Sequence, residues 1–388
     1  MNLISNVQRG LKILLIAGVM FVSSDYFMTS GIIVSRESVI QQLVKSFGES
    51  FVVRTSHPDY NHDLRPNIDV TTTWGRKSYR LCTNQYGFRS ACGEQNIKLN
   101  NKHINIGFIG DSFTEGIGVE YEESFFGMFK KSRSDLTMVN LAVVSYSPSI
   151  YLKKVEYLLS EGFTFDHLVV FPDISDIQDE GKEYEIRNNM VVQKEADSNF
   201  LYRMSMHLPY YLGDIFPFTF HLIDQLNRVW KGTGKESYTK KEFNEIIDQR
   251  SRWTFDQQLD GYGPEGVEGA ILQATDAMSK LEALLTENKI GLSLAVYPWT
   301  TQLKYGVENH RGITIWKQFC KLNCSNFIDI NKFFFKEIKE YGLDFVLDEY
   351  FIKGDVHFNK KGHALVFKGL VQAFKKDMTL KLLDPSLS

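Results

Sequence analysis

Ser112 stands in Gly110-Asp111-Ser112-Phe113-Thr114-Glu115-Gly116, directly after the apolar run Ile104-Asn105-Ile106-Gly107-Phe108-Ile109. A strand that ends in a tight glycine turn lifts the next hydroxyl off the sheet edge. A serine needs that exposure to act as a nucleophile, and it also needs a base. The base has its candidate far downstream, in Gly354-Asp355-Val356-His357-Phe358-Asn359, where Asp355 and His357 are one residue apart. Ser112, His357 and Asp355 together supply the side chains of nucleophilic acyl transfer. A neutral imidazole takes the serine proton as Oγ attacks an ester carbonyl, and the carboxylate fixes the tautomer. The backbone N–H of Ser112, near a helix start, is placed to donate to the oxyanion.

The elements that must position these residues follow a βα rhythm from residue 103 onward. Short apolar runs rich in β-branched or aromatic residues predict strands at 105–109, 138–142, 167–171, 292–297 and 326–330. Helical patterns lie between or after them, at 122–131, 149–160, 267–288, 314–321 and 360–376. Such alternation predicts a parallel sheet covered on both faces, with the active site at the carboxyl ends of its strands. The rhythm breaks between about residues 177 and 264, in a stretch carrying Tyr202, Tyr210, Tyr211, Phe216, Phe218, Phe220, Trp230 and Trp253. This insertion is expected to be partly helical and to hang over the active-site edge, as a lid or as a structural excursion.

The chain has 388 residues, 43% hydrophobic and 23% charged, enough for one large domain with insertions or for two. A formal net charge of -3 gives no reason to expect nucleic acid. Residues 1–12 carry Arg9 and Lys12 and no acid, and residues 13–22 are almost purely apolar. A basic flank before an apolar run reads as an export signal. Two versions compete. Residues 13–34 reach the length a bilayer needs, though Asp25 inside them costs ~2.5–3.5 kcal/mol if placed centrally. A cleaved signal peptide needs only the shorter run. The uncleaved anchor is the preferred expectation. Export would permit disulfides. Cys82 and Cys92 bracket a glycine-containing loop and suit a staple; Cys320 and Cys324, one helical turn apart, are expected to suit one less well. Zinc-type spacing is missing, so no metal site is expected. Asp111 is expected to bond backbone amides around the turn, and His363 to be a cap or core residue. Asp176, Asp179 and Glu180 are expected to be solvated or arginine-paired, and Gly232-Thr233-Gly234-Lys235 reads as a turn rather than a phosphate loop.

The two motifs, Gly110-Asp111-Ser112-Phe113-Thr114-Glu115-Gly116 and Asp355-Val356-His357-Phe358-Asn359, resemble the first and last motif blocks of the SGNH (GDSL-type) hydrolase superfamily. Anchored bacterial members linked to surface polysaccharides are the most similar, because they also carry a segment like Thr83-Asn84-Gln85-Tyr86-Gly87-Phe88-Arg89. The resemblance implies a flavodoxin-like, three-layer α/β/α sandwich with a parallel sheet, plus the helical insertion, and no cofactor. It implies Ser112 as nucleophile, His357 as general base and Asp355 as the residue that orients it. The middle blocks depart from the pattern. In the second, Asn140-Leu141-Ala142-Val143-Val144-Ser145, Ser145 stands where a glycine N–H would join the backbone N–H of Ser112 in the oxyanion hole. In the third, Phe171-Pro172-Asp173-Ile174-Ser175-Asp176, Ser175 falls on the position of an asparagine donor, with the Asp173 carboxylate nearby.

These observations divide the chain into an anchor or signal (1–35), a neck and extension (36–102) and a hydrolase-like domain (103–380). The expected function is a serine esterase or O-acyltransferase acting on O-acetyl groups of a surface polysaccharide. Its expected partners are an acylated carbohydrate or other ester and a membrane. Its expected place is the bacterial inner membrane, with the catalytic domain in the periplasm or outside the cell. The alternatives are a non-catalytic carbohydrate-binding or assembly factor on the same fold, and a lipid esterase or thioesterase.

Overall fold

Within the expected neck and extension (36–102), the described residues are folded. In the computed structural model, which describes residues 53–74, 77–94, 102–194 and 240–376 and isolated helical positions between 18 and 27, residues 54–94 form two antiparallel hairpins. The first pairs β1 (Arg54–His57) with β2 (Asn61–Leu64), and the second pairs β3 (Asp69–Trp74) with β4 (Lys77–Cys82). Alternation explains the second: Val70, Thr72, Tyr79 and Leu81 turn inward and their neighbours face out. In the turn that follows, Asn84 Oδ1 accepts from the N–H groups of Tyr86 (2.9 Å) and Phe88 (3.1 Å). Gly87 has φ 80°, and a Cβ there would sit 2.6 Å from the Leu64 carbonyl oxygen.

The central domain then begins with β5 (His103–Gly110), a single helical turn α1 (Ser112–Glu115), α2 (Phe125–Ser132), β6 (Met138–Asn140), α3 (Pro148–Ser160) and β7 (Thr164–Phe171). It continues through the hairpin β8 (Tyr184–Arg187) and β9 (Met190–Gln193), α4 (Lys240–Ser251) and α5 (Gly266–Glu287). The last part holds β10 (Gly291–Val296), α6 (Thr300–Tyr305), α7 (Arg311–Asn323), β11 (Asn326–Asp329), α8 (Asn331–Tyr341), α9 (Leu343–Tyr350) and α10 (Lys360–Lys376). The five central strands are all parallel and lie in the order β6-β5-β7-β10-β11. Counted along the chain that is 2-1-3-4-5, the flavodoxin-like order. Helices cover the sheet, α2 against α10 and α3 against α5, which also meets α7. The result is the expected α/β/α sandwich. β7 starts earlier than expected because Thr164 and Phe165 pair with His103 and Ile104.

The chain divides into two compact units, residues 1–53 with 196–237 and residues 54–195 with 238–388, and the elements above belong to the second. The hairpins of the extension are therefore part of the same unit as the central sheet. In the first unit only residues 18, 20, 21, 23–25 and 27 of the apolar segment are described, all helical. Among the described residues no helix is long and apolar enough to cross a membrane. The remainder of the candidate anchor, Gly232–Lys235, Tyr202, Tyr210, Tyr211, Phe216, Phe218, Phe220 and Trp230 lie outside the described residues. Trp253 is buried, and its indole N–H donates to the Ile174 carbonyl (2.8 Å). Both cysteine pairs are disulfides, including the one expected to fit poorly. Helix α7 ends at Asn323, so Cys324 takes an extended conformation (φ −127°, ψ 151°) that turns its side chain back to Cys320, with Cα atoms 4.7 Å apart.

A buried ion pair ties the extension to the sandwich. Lys154 of α3 donates to Asp63 of β2 (2.9 Å) and to the Tyr146 hydroxyl (3.1 Å), and lies over the rings of Tyr60, Phe88 and Tyr146. Burial lowers its pKa, opposed by the Asp63 charge. Removing one member of such a pair strands the other charge, whereas replacing both by apolar groups is often nearly neutral. Lys154→Met should therefore cost about 3–5 kcal/mol in denaturant unfolding, and the double variant with Asp63→Leu should recover most of it.

Buried neutral histidines set the acid response. Burial lowers His62 and His310 to about 4 and His363 to about 3. His363 lies in the core, where Nδ1 accepts from the Phe125 N–H (3.3 Å). Its folded pKa lies below the unfolded value of 6.5, so its contribution to stability is complete above that pH and is lost as pH falls toward about 3. His363→Asn should therefore lose less stability than the native chain between pH 7.5 and about 5, read by unfolding curves at both pH values.

Candidate active site

β5 delivers the serine and Gly110 makes its turn. A Cβ on Gly110 would lie 2.5 Å from Thr114 Oγ1, so only glycine lets α1 fold back onto the strand end. Asp111 leaves the strand with φ −105° and caps α1, its Oδ1 accepting from the Phe113 N–H (3.1 Å). Gly116 closes the turn with φ 81°. Beneath it the buried guanidinium of Arg89 donates to the carbonyls of Glu115, Gly116 and Val119. That is the use of the Thr83–Arg89 segment: it fixes the far end of the nucleophile turn. Glu115, also buried, pairs with Arg54 (3.2 Å) and accepts from the Val144 N–H (2.7 Å).

The opposite half comes from the loop between α9 and α10. Asn359 organises it, donating to the carbonyls of Glu349 (2.8 Å) and Phe351 (3.0 Å) and accepting from the Lys361 N–H (2.8 Å) at the start of α10. The Ile352 N–H donates to the His357 carbonyl (2.8 Å), folding Asp355 and His357 onto one edge. His357 Nε2 stands 2.9 Å from Ser112 Oγ, and Asp355 Oδ1 stands 2.5 Å from His357 Nδ1 and 3.0 Å from its backbone N. Thus Nδ1–H donates to Asp355, and Nε2 is left to accept the serine proton. Burial raises the Asp355 carboxyl, but the charge and hydrogen bonds of His357, joined by the indole of Trp74, outweigh burial and hold it below the ordinary carboxylate value.

Ser112 also approaches a buried acidic group. Its Oγ lies 2.9 Å from Asp111 Oδ2. Oxygens of Asp111, Asp173 and Asp176 lie within 4.8 Å of one another, and all three residues are buried. Burial first, then the Asp173 charge, raises Asp111 and Asp176 well above the ordinary carboxylate range. Protein donors serve the group: Tyr297 reaches Asp111 (3.3 Å), Trp299 reaches Asp173 (2.9 Å) and Tyr151 reaches Asp176 (2.9 Å). Among the described residues these three carboxylates form one of two groups able to hold a cation, yet the raised pKa values of Asp111 and Asp176 favour protons there. The other candidate group, Asp69 with Cys82 and Cys92, has no thiolate to offer because the two cysteines are bonded to each other.

The middle blocks are placed unequally. Ser145 has φ 63°, the left-handed conformation in which a glycine is expected. Ser175 is buried with its hydroxyl donating to Asp173 Oδ1 (2.6 Å), and its N–H donates to the same oxygen (2.8 Å). The hydroxyl expected to donate to an oxyanion thus bonds within its own loop in this arrangement. Nor is the Asp176, Asp179 and Glu180 group solvated. Asp179 accepts from Arg250 at 2.7 Å, and burial lifts it to about 7 against the pull of that cation. Glu180 accepts from the hydroxyls of Ser147 (2.7 Å) and Ser149 (2.8 Å). A polar cleft of about 430 Å³ opens at Ser145, lined by Gln178, Lys182, Gln193, Gln249 and Arg250 among others.

Sequence reasoning did not find Trp74, Trp299, Tyr297 or the buried side of Asp173. Trp74 is 281 positions from Asp355, and nothing in its neighbourhood distinguishes it from a core tryptophan. Aromatic density around the catalytic motifs is the one signal available for the others.

The fold and site define a flavodoxin-like α/β protein with a Ser–His–Asp constellation at the carboxyl edge of its sheet. No family model matches the chain, and no curated protein matches it. Similar solved structures include a psychrotrophic esterase from Pseudoalteromonas sp., 12% identical over 71% of this chain and 98% of that one, TM-score 0.35. They also include a member of the lipolytic G-D-S-L family from Veillonella parvula, 12% identical over 70% and 98%, TM-score 0.39. A third is a catalytic mutant of an acetylxylan esterase from Geobacillus stearothermophilus, 10% identical over 71% and 96%, TM-score 0.34.

Ser145 tests the strained loop of the second block. A left-handed residue other than glycine costs about 1–2 kcal/mol, while glycine loosens the unfolded chain by about 0.4–1 kcal/mol. Ser145→Gly should therefore stabilise the protein by about 0.5–1 kcal/mol in denaturant unfolding, and Ser145→Val should destabilise it.

Proposed function

We propose that the protein is a serine esterase or O-acyltransferase that works through an acyl-Ser112 intermediate. The observation that carries this reading is the unbroken chain Ser112 Oγ, His357 Nε2, His357 Nδ1, Asp355 Oδ1, with steps of 2.9 and 2.5 Å on either side of the ring. As Oγ bonds to the ester carbonyl carbon, His357 takes the hydroxyl proton and Asp355 stabilises the imidazolium. The tetrahedral intermediate collapses, the alkoxy leaving group departs with the proton from His357, and the acyl group stays on Ser112. Water or a second hydroxyl then attacks the acyl-enzyme, with His357 as base again, giving hydrolysis or transfer.

Asp111 has a part in this reading. Ser112 has one hydroxyl proton and two acceptors at 2.9 Å, Asp111 Oδ2 and His357 Nε2. Burial raises the Asp111 carboxyl well above the ordinary carboxylate range, which weakens it as a rival acceptor and favours His357 for the serine proton.

An O-acetylated carbohydrate is the substrate we favour. The polar cleft at Ser145, lined by three glutamines and by charged side chains of both signs, suits a polyhydroxylated ligand. The motif resemblance and the apolar N-terminal run support work at a surface polysaccharide, from the inner membrane with the catalytic domain in the periplasm. Disulfides at Cys82–Cys92 and Cys320–Cys324 support an oxidising compartment. One observation favours a second reading, a carbohydrate-binding or assembly factor: Ser175 is spent on Asp173, which removes an oxyanion donor typically worth ~2.7–4 kcal/mol.

Release of acetate from p-nitrophenyl acetate and from an acetylated polysaccharide separates the two. The purified native protein should turn over at least one, and Ser112→Ala should lose about 10³-fold or more. Equal rates for native protein and Ser112→Ala would overturn the esterase reading, and glycan binding without acetate release would support the second.

A further inference from the structure

Trp74 is the last residue of β3, on a hairpin that precedes the sandwich in sequence. Its indole N–H donates to Asp355 Oδ2 at 2.9 Å, the carboxylate oxygen that His357 does not use. The same ring meets the His357 imidazole edge-on, with centroids 5.1 Å apart, and Phe113 meets that imidazole at 4.5 Å. Asp355 thus has one oxygen on the histidine and the other on the indole, and each bond removes a rotation that would carry the carboxylate off Nδ1.

The hairpin is held where this contact requires it. The Arg80 N–H in β4 donates to Glu120 Oε1 (3.1 Å), in the loop that follows the nucleophile turn. Arg89 grips the carbonyl of Val119 (2.7 Å) in that loop. A Cβ on Gly118 would lie 2.6 Å from Ile352 Cδ1 and 3.7 Å from Trp74 Cβ, so the loop passes closely between the hairpin and the segment carrying Asp355. Cys82, which ends β4, is bonded to Cys92.

We propose that Trp74 is a positioning residue of the catalytic centre: the N-terminal hairpin lends its indole N–H to Asp355 and so holds the carboxylate in line with His357. The inference rests on the Ser–His–Asp reading of the site, and it gives the extension a role in the chemistry beyond covering the sheet. An N–H bonded to an ionised carboxylate stabilises the charged form, so the bond lowers the pKa of Asp355 as well as its freedom.

Trp74→Phe keeps most of the ring and removes the donor. Three readouts decide the proposal. In carboxyl ¹³C NMR titrations, Asp355 in Trp74→Phe should titrate about one pH unit higher than in the native protein. A fluorophosphonate should label Ser112 about tenfold more slowly, with the thermal midpoint within a few degrees of native. In an Asp355→Ala background, adding Trp74→Phe should change the labelling rate by less than about twofold, since the partner is already gone. An Asp355 midpoint unchanged by Trp74→Phe overturns the proposal, as does an equal loss of labelling with and without Asp355. If the native protein takes no label at all, the esterase reading fails, and the carboxyl titration alone still decides whether Trp74 holds Asp355.

Discussion

The structure turns on one contact: Ser112 Oγ and His357 Nε2, 245 residues apart in the chain, stand 2.9 Å from each other. A proton transfer tolerates little error in that distance, so both sides must be fixed independently and to the same frame. The parallel sheet is the frame. On one side β5 ends at Gly110, with Asp111 capping the turn and Arg89 gripping its far carbonyls. On the other, Asn359 closes the loop from Phe351 to Lys361. His363, one turn into α10, then bonds the backbone of Phe125, which belongs to the nucleophile half. The two halves are therefore stitched below the site as well as at it.

Electrostatics beneath Ser112 run against intuition for a site that must create negative charge. Three buried carboxyl groups lie close together there, and a full set of anions would oppose an oxyanion. Burial first, then the Asp173 charge, raises Asp111 and Asp176 well above the ordinary carboxylate range, which lessens the opposing charge. Asp111 Oδ2 accepts from the Ser112 hydroxyl at 2.9 Å. Asp173 occupies itself with Ser175 and Trp299. Under the proposed acyl-transfer reading, oxyanion stabilisation would fall to the backbone around Ser112 and to the loop at Ser145, whose φ is 63°.

Much of this was legible in the sequence, for a physical reason. A buried parallel strand must be apolar on both faces, so β5, β7 and β10 announce themselves as continuous runs, and their order follows from the βα rhythm. The meeting of Ser112 with His357 and Asp355 was legible because each side carries a local turn chemistry, glycine at 110 and Asp-x-His-x-Asn at 355–359. The hairpins at 54–82 were not, since β1 and β2 are four-residue, mostly polar strands and β3 and β4 alternate over only six residues, spans that also read as loop. Helices α8 and α9 were hidden by Phe333-Phe334-Phe335, an aromatic run that obscures helical periodicity. Ser145 was singled out by its position, but its left-handed backbone needed coordinates. The Cys320–Cys324 bond was misjudged because it depends on where α7 stops, and helix ends are less legible than helices. Trp74 shows the general limit: a contact across 281 positions leaves no mark in the local sequence of either partner.

Acid quench of the protein during turnover of p-nitrophenyl acetate, followed by peptide mass mapping, tests the central claim most directly. The geometry predicts a single acetyl group on the peptide that contains Ser112, accumulating in the native protein and missing in His357→Ala. Turnover with Ser112 unmodified, or an acetyl group carried on another residue, would contradict it.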